Sequence, residues 1–280
     1  MTTPVLSRIR RMASLPVVRP VLEGAHRAFL ALRRLWRAPD ARADEIARFN
    51  RLAATWWDPL GPMRPLHVVN ALRLELLLDL FAQYLRGSAQ SSAPLRVADI
   101  GCGAGLVCEP LAERGARVVG IDAAGKNIAA ARLHAARAGL SIDYRAGEPC
   151  TALAPEERFD AILLLEVLEH VEDVAALVAQ AARHLAPGGL LVASTINRTP
   201  QSFLAAIVGA EYVFRVLPVG THRFGQLVRP AELRAAAESC GLEWLEQRGM
   251  RYLPVVHRAW WTRDASVNYL AVFRRPGASC

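Results

Sequence analysis

Lysine is almost missing from this chain: Lys126 is the only one, and every other basic side chain that is permanently charged is an arginine. The net charge is still +8 over 280 residues. Arginine bias also follows genomic base composition, so the charge alone names no partner. The arginines are not interleaved with surface aromatics on a recognisable module, which argues against nucleic acid as the partner. Paired cysteines are missing too. The five cysteines, Cys102, Cys108, Cys150, Cys240 and Cys280, are scattered and no Cys-x-x-Cys occurs. That suggests neither a disulfide framework nor a zinc site and fits a reducing compartment. No apolar run reaches the ~20 residues that span a bilayer.

What is present is apolar content: 52% of the chain is hydrophobic, ample for one large α/β domain with a core of its own, plus an extension. Residues 1–43 read as that extension. Its first 37 residues carry eight arginines against one acid, Glu23. On a helical projection of Val21 to Arg37, Val21, Leu22, Ala25, Ala28, Phe29, Leu32, Leu35 and Trp36 share a side. Arg27, Arg33, Arg34 and Arg37 lie opposite, with Leu30 the exception. Such a helix suits an anionic membrane surface, a mitochondrial transit peptide, or the domain's own surface. Few serines in the extension favour a bacterial protein that keeps it.

The domain over residues 44–280 turns on one stretch. Leu95 to Ile100 is short, apolar and partly β-branched, as a buried parallel strand is. It closes on Gly101, Gly103 and Gly105, which let the backbone turn tightly and approach a ligand. The segment Leu106 to Arg114 follows as a helix whose free N–H groups face that ligand. Val118 to Ile121 is the next strand and ends on Asp122, placed to accept hydrogen bonds from ribose hydroxyls. A dinucleotide fingerprint needs its third glycine at the position of Leu106. The spacing therefore points to S-adenosylmethionine, with an ordinary glycine-rich turn as the bland alternative.

Strands are expected near 95–100, 117–121, 141–145, 159–165 and 189–196, and helices near 105–114, 125–138 and 173–185. Before them, Asp44 to Trp57 and Asn70 to Leu85 read as helices around a Gly/Pro loop, Asp58 to Leu66. Pro187-Gly188-Gly189 reads as a turn launching a strand. Leu242 to Arg248 and Val267 to Arg274 read as late strands, an antiparallel pair. This alternation implies a mostly parallel sheet with helices on both faces. An insertion near 198–228 holds an apolar segment, Gln201 to Leu217, read either as a buried helix or as a lid dipping into a membrane.

After the fourth strand come Glu166, Glu169 and His170. A helical turn would put them on one face, at the sheet edge where open α/β sheets bind ligands. They read as a general base with its supports, as a divalent cation site, or as a structural helix start.

Asp99-Ile-Gly-Cys-Gly-Ala-Gly105, Gly120-Ile-Asp122, Glu166-Val-Leu-Glu-His170, Leu185-Ala-Pro-Gly-Gly189 and Ser194-Thr-Ile-Asn197 resemble class I S-adenosylmethionine methyltransferases. Trp56-Trp57-Asp58, Pro65-Leu66-His67, Asn70-Ala-Leu-Arg73, Val208-Gly-Ala-Glu-Tyr212, Gly220-Thr-His222 and Val267-Asn-Tyr269 narrow the match. They resemble the ubiquinone-biosynthesis O-methyltransferase family over about residues 44–274. Ala71, Gly147-Glu148-Pro149 and His222-Arg223-Phe224 depart from that family's usual pattern.

The resemblance implies a Rossmann-like class I fold with a mostly parallel seven-stranded sheet. It implies methylation of phenolic hydroxyls on polyprenylated ubiquinone precursors, 2-polyprenyl-6-hydroxyphenol and 3-demethylubiquinol. S-adenosylmethionine contacts are implied at Arg73, Gly101, Gly103, Asp122 and Leu165. Glu166, Glu169 and His170 match a magnesium site of the family's eukaryotic branch, and His170 is the expected base. The implied partners are the prenylated phenol, an anionic membrane surface and other ubiquinone-biosynthesis proteins, but no nucleic acid. The implied location is the bacterial cytoplasm, peripheral on the inner membrane, or the matrix side of the mitochondrial inner membrane. The alternatives are a methyltransferase for another small phenol or lipid, and a cofactor-binding scaffold without chemistry.

Overall fold

A single sheet of eight strands organises the computed structural model, which describes residues 53–85, 93–203 and 223–277. The basic extension 1–43, most of the helix expected over 44–57, and residues 204–222 of the apolar insertion lie outside the described residues. The strands are β1 (Arg96–Ile100), β2 (Arg117–Asp122), β3 (Asp143–Ala146), β4 (Phe159–Leu165), β5 (Leu185–Ile196), β6 (Glu243–Leu253), β7 (Arg258–Thr262) and β8 (Asn268–Arg274). Their order is β3-β2-β1-β4-β5-β8-β6-β7. The first five run parallel, while β8, β6 and β7 pair antiparallel.

The helices are α1 (Arg64–Tyr84), α2 (Cys108–Glu113), α3 (Gly125–Arg137), the single turns α4 (Pro149–Ala152) and α6 (Pro200–Ser202), α5 (Val174–His184) and α7 (Pro230–Ser239). They cover both faces. Leu76, Leu77 and Leu80 of α1, Leu111 of α2 and Ile128 of α3 pack with Ala161, Leu163 and Leu165 of β4. Leu177 and Val178 of α5 and Leu233 of α7 pack with Ile162 and Leu164. Strand β4 thus alternates between two apolar layers, which is why it reads as an unbroken apolar run. Each leucine buried in this way contributes about 1.5–3 kcal/mol. No described helix is long and apolar enough to cross a membrane.

Four elements differ from expectation. Helix α1 starts at Arg64 rather than Asn70, because Pro65 sits in its first turn. Its missing N–H is harmless there and its fixed φ suits a helix start. Within the helix expected over 44–57, the described residues Ala53–Thr55 form a 3₁₀ turn. Pro187-Gly188-Gly189 lies inside β5 as a bulge, where the register jumps from Phe159↔Leu185 to Ala161↔Leu190. The eighth strand, β7, was hidden by its length and by the apolar turn before it.

Register places the site. The carboxyl ends of β1, β2, β4 and β5 share one edge, as Asp99↔Gly120, Asp99↔Leu163 and Leu165↔Ser194 require. Strand β8 enters at that edge, Asn268 opposite Ile196. Strand β6 runs antiparallel to β8 and climbs back to it, Met250 opposite Asn268.

Candidate functional site

Two acid-bearing turns meet at this edge. The first is the glycine turn after β1. Gly101 and Gly103 have φ of 81° and 56°, a region that glycine enters without strain. A Cβ at Gly101 would strike Val167, and one at Gly103 would strike the Trp56 ring. The glycines therefore make room for protein side chains, not only for a ligand. Helix α2 begins at Cys108, later than the expected Leu106.

Asp122 ends β2 beside this turn. Its Oδ2 accepts from the Gly103 N–H at 2.9 Å, and its Oδ1 accepts from the Ala124 N–H at 2.7 Å and the Asn127 side chain at 3.4 Å. Burial pushes its pKa up, and the neighbouring Glu148 charge adds to this, while the Ala124 and Gly103 N–H groups pull it down. A half-buried carboxylate with three donors fixed on it is oriented before any ligand arrives.

Asn127 in turn accepts from the Trp56 indole N–H at 3.0 Å. Trp57 donates to the Ala104 carbonyl at 3.1 Å and stacks on His134, ring centroids 3.5 Å apart. His67 meets the Trp56 carbonyl at 2.8 Å. The tryptophan pair thus straps the segment before α1 onto the glycine turn. Sequence reasoning missed Asn127, although it lies in the first turn of the helix that follows Asp122. It also missed Tyr144, whose hydroxyl fills the space a Cβ at Gly105 would need.

Asp99 stands behind the turn, buried inside β1. It accepts from the Cys108 thiol at 3.3 Å, and burial pushes its carboxyl up to about 7.

The second turn follows β4, which ends on the buried Leu165. Glu166 has φ of 55°, uncommon for a residue with a Cβ. That conformation sends its carboxylate to Arg73 of α1, with which it forms an ion pair. Arg73 is fully buried, donates to Asn70 at 2.9 Å, and leaves its Nε without a partner. The Ser194 hydroxyl donates to Glu166 at 3.1 Å, and the Thr195 hydroxyl to Glu169 at 2.6 Å.

Ser194 and Thr195 are consecutive in β5, so they point to opposite faces of the sheet. Glu166 accordingly turns to the α1 face and Glu169 to the other. Burial, reinforced by the Glu166 charge, pushes Glu169 up to about 8. Its Oε1 is buried without a partner. His170 closes the 3₁₀ turn Leu168–His170 and is half-buried.

The expected magnesium site does not form. Among the described residues, no three His, Cys, Asp or Glu side chains are grouped to hold a metal. The two carboxylates do not converge on one point: Glu166 is paired with Arg73 and accepts from Ser194, whereas Glu169 accepts from Thr195 on the other face of the sheet.

Comparison with known proteins fixes the lineage. A methyltransferase-domain profile matches residues 70–247. The ubiquinone biosynthesis O-methyltransferase of Chelativorans sp. (strain BNC1) is 47% identical over 249 residues, 86% of this chain and 98% of that protein. The chain belongs to the ubiquinone biosynthesis O-methyltransferase family. The protein of the same name from Bradyrhizobium sp. (strain ORS 278) is 48% identical over 81% of this chain and 91% of its own. Among solved structures, magnesium protoporphyrin IX methyltransferase from Synechocystis PCC 6803, solved with bound S-adenosylmethionine, is 18% identical. It aligns with a TM-score of 0.56 over 85% of this chain and 98% of that one, which fixes the fold of this methyltransferase as class I.

Proposed function

We propose that this methyltransferase carries the methyl group of S-adenosylmethionine to phenolic hydroxyls of polyprenylated ubiquinone precursors. The acceptors are 2-polyprenyl-6-hydroxyphenol and 3-demethylubiquinol. The observation that carries the reading is Asp122, held by three donors beside the glycine turn in a chain of this family.

Asp122 binds the ribose hydroxyls, and Gly101 and Gly103 let the cofactor lie against the turn. Leu165 packs beside the adenine at the end of β4. Arg73, whose Nε has no protein partner, meets the methionine carboxylate. When bound, the cofactor supplies an activated methyl on a sulfonium. The protein aligns the phenolic oxygen with it, so proximity provides much of the rate. A phenol of pKa near ~10 must also lose its proton. His170 takes it, and Glu166 and Glu169 shape the turn that carries His170. The substrate tail lies in a membrane, so the protein works at the bilayer surface of a bacterial cytoplasm.

The test is transfer of labelled methyl from S-adenosylmethionine to 2-polyprenyl-6-hydroxyphenol, with the label recovered as an aryl ether. No ether from protein that binds the cofactor would favour a scaffold. His170→Ala should lower kcat about hundredfold at pH 7 and recover as pH approaches the phenol's own pKa. An unchanged pH profile would remove the base role.

A further inference from the structure

Trp57 is held from two sides. Its indole N–H donates to the Ala104 carbonyl of the glycine turn at 3.1 Å, and its ring lies flat on His134, centroids 3.5 Å and planes 2° apart. His134 stands in the last turn of α3, where the helix dipole favours a cation. Its Nδ1 is 2.9 Å from both oxygens of Glu109, so that nitrogen carries a proton and donates to the carboxylate. Glu109 lies in the first turn of α2, and its own N–H donates to the Gly105 carbonyl at 3.1 Å. The series Glu109, His134, Trp57 therefore begins on one carbonyl of the glycine turn and ends on the carbonyl beside it.

Glu109 is only 4% exposed, and among the described residues its one ion pair is with His134. A buried carboxylate is costly without a cation. Burial pushes its pKa up and His134 pulls it down, while the Glu113 charge adds to the rise. The His134 side chain is 37% exposed, so the ring exchanges protons with solvent. Among the described residues, the other titratable or charged groups around this stack are Glu113 on α2, Arg137 in the same turn of α3, and His67 of α1. The His67 ring meets Trp57 edge-on at 6.4 Å.

We propose that His134 is a positioning residue for the cofactor: as an imidazolium paired with Glu109 it clamps Trp57 onto the glycine turn, and S-adenosylmethionine binds more tightly when the clamp is charged. A cation stacked on an indole face is attracted by the ring quadrupole, and a neutral imidazole lacks that attraction. Trp56 is tied to Trp57 by the chain. It fills the space over Gly103 and donates to Asn127, whose amide holds Asp122. Loosening Trp57 therefore reaches the Gly103 backbone and the Asp122 carboxylate together. This rests on the proposed function, in which that turn and Asp122 hold the cofactor.

The test is calorimetry of S-adenosylmethionine with the full chain at pH 6 and pH 9. His134→Gln keeps a donor for Glu109 but is neutral throughout, whereas His134→Arg stays charged and planar and stacks on Trp57. At pH 6 the Gln variant should bind about tenfold more weakly than wild type, and the Arg variant within about twofold of it. At pH 9 the Gln variant should match wild type, and the Arg variant should bind about fivefold more tightly than wild type. A Gln-to-wild-type ratio that is the same at both pH values would overturn the proposal, as would Gln and Arg variants that behave alike. Protonated imidazole quenches the fluorescence of an indole in contact with it. The Trp57 emission, wild type minus Trp57→Phe, should therefore rise from pH 6 to pH 9 in cofactor-free protein, and not in the His134→Gln background. A flat wild-type emission would overturn the clamp even where neither His134 variant folds. A wild type that binds no S-adenosylmethionine would fault the proposed function, while the emission, read without cofactor, still decides the clamp.

Discussion

Asp122 ends β2 and Glu166 follows β4, the two strands that flank β1, and both stand at one edge of the sheet, yet their surroundings are opposites. Asp122 is served by donors within a few residues of the two turns it joins: Gly103, Ala124 and Asn127. Glu166 is served by Arg73 and Ser194, which reach it from α1 and β5, and its backbone sits at φ of 55°. Both oxygens of Asp122 are matched, although the Tyr144 hydroxyl against Gly105 is buried without a partner. Near Glu166, Arg73 Nε and Glu169 Oε1 are buried without partners. The Asp122 turn is built by local sequence and is held in place by its own neighbours. The Glu166 turn is built by distant segments and keeps strain and unmatched polar atoms.

The largest effect should come from the distant side. Arg73→Leu leaves Glu166 without its cation, and folding stability should fall by about 3 kcal/mol. Adding Glu166→Gln should restore more than half of that loss in denaturant titrations. Simple additivity of the two changes would show that the pair is not coupled. On the local side, Asp122→Ala should weaken S-adenosylmethionine about hundredfold by calorimetry, the worth of two hydrogen bonds to a charged group. Unchanged affinity would remove Asp122 from the cofactor site.

A smaller effect tests whether Asp122 is positioned from behind. Asn127→Ala should weaken the cofactor about tenfold, the low end of what one hydrogen bond to a charged group is worth. It should add little in the Asp122→Ala background, and a full tenfold there would mean that Asn127 acts by another route. The last prediction concerns pH and Asp99. The folded protein keeps its proton up to about pH 7, while the unfolded chain loses it near 3.8. The unfolded state therefore binds fewer protons between those values, and stability falls as pH rises through them. Asp99→Asn should flatten that slope in thermal melts, and an unaltered slope would assign it to other groups.

The same contrast explains what was legible in the sequence. Strands β1, β2 and β4, the glycine turn and Asp122 could be read directly, because apolar runs, positive-φ glycines and a strand-ending acid are local signals. The partners of Arg73 and the divergence of Glu166 from Glu169 were not legible. A positive φ at a glutamate has no composition signal, and although the strand expected at 189–196 sets the Ser194 and Thr195 hydroxyls on opposite faces, it does not say which carboxylate meets each. Trp56 was noticed as a motif, but its packing on Gly103 spans the distance from a 3₁₀ turn to β1 and depends on the fold. Strand β7 escaped because its five residues follow an apolar turn that carries no glycine.

The most direct measurement is methyl transfer by the full chain to two acceptors that share one catechol ring, one bearing a polyprenyl tail in vesicles and the other tailless in solution. The expected result is an aryl methyl ether on both, with kcat/KM at least tenfold higher for the tailed acceptor. Equal or faster turnover of the tailless ring would contradict a ubiquinone precursor as the substrate and leave a soluble phenol in its place.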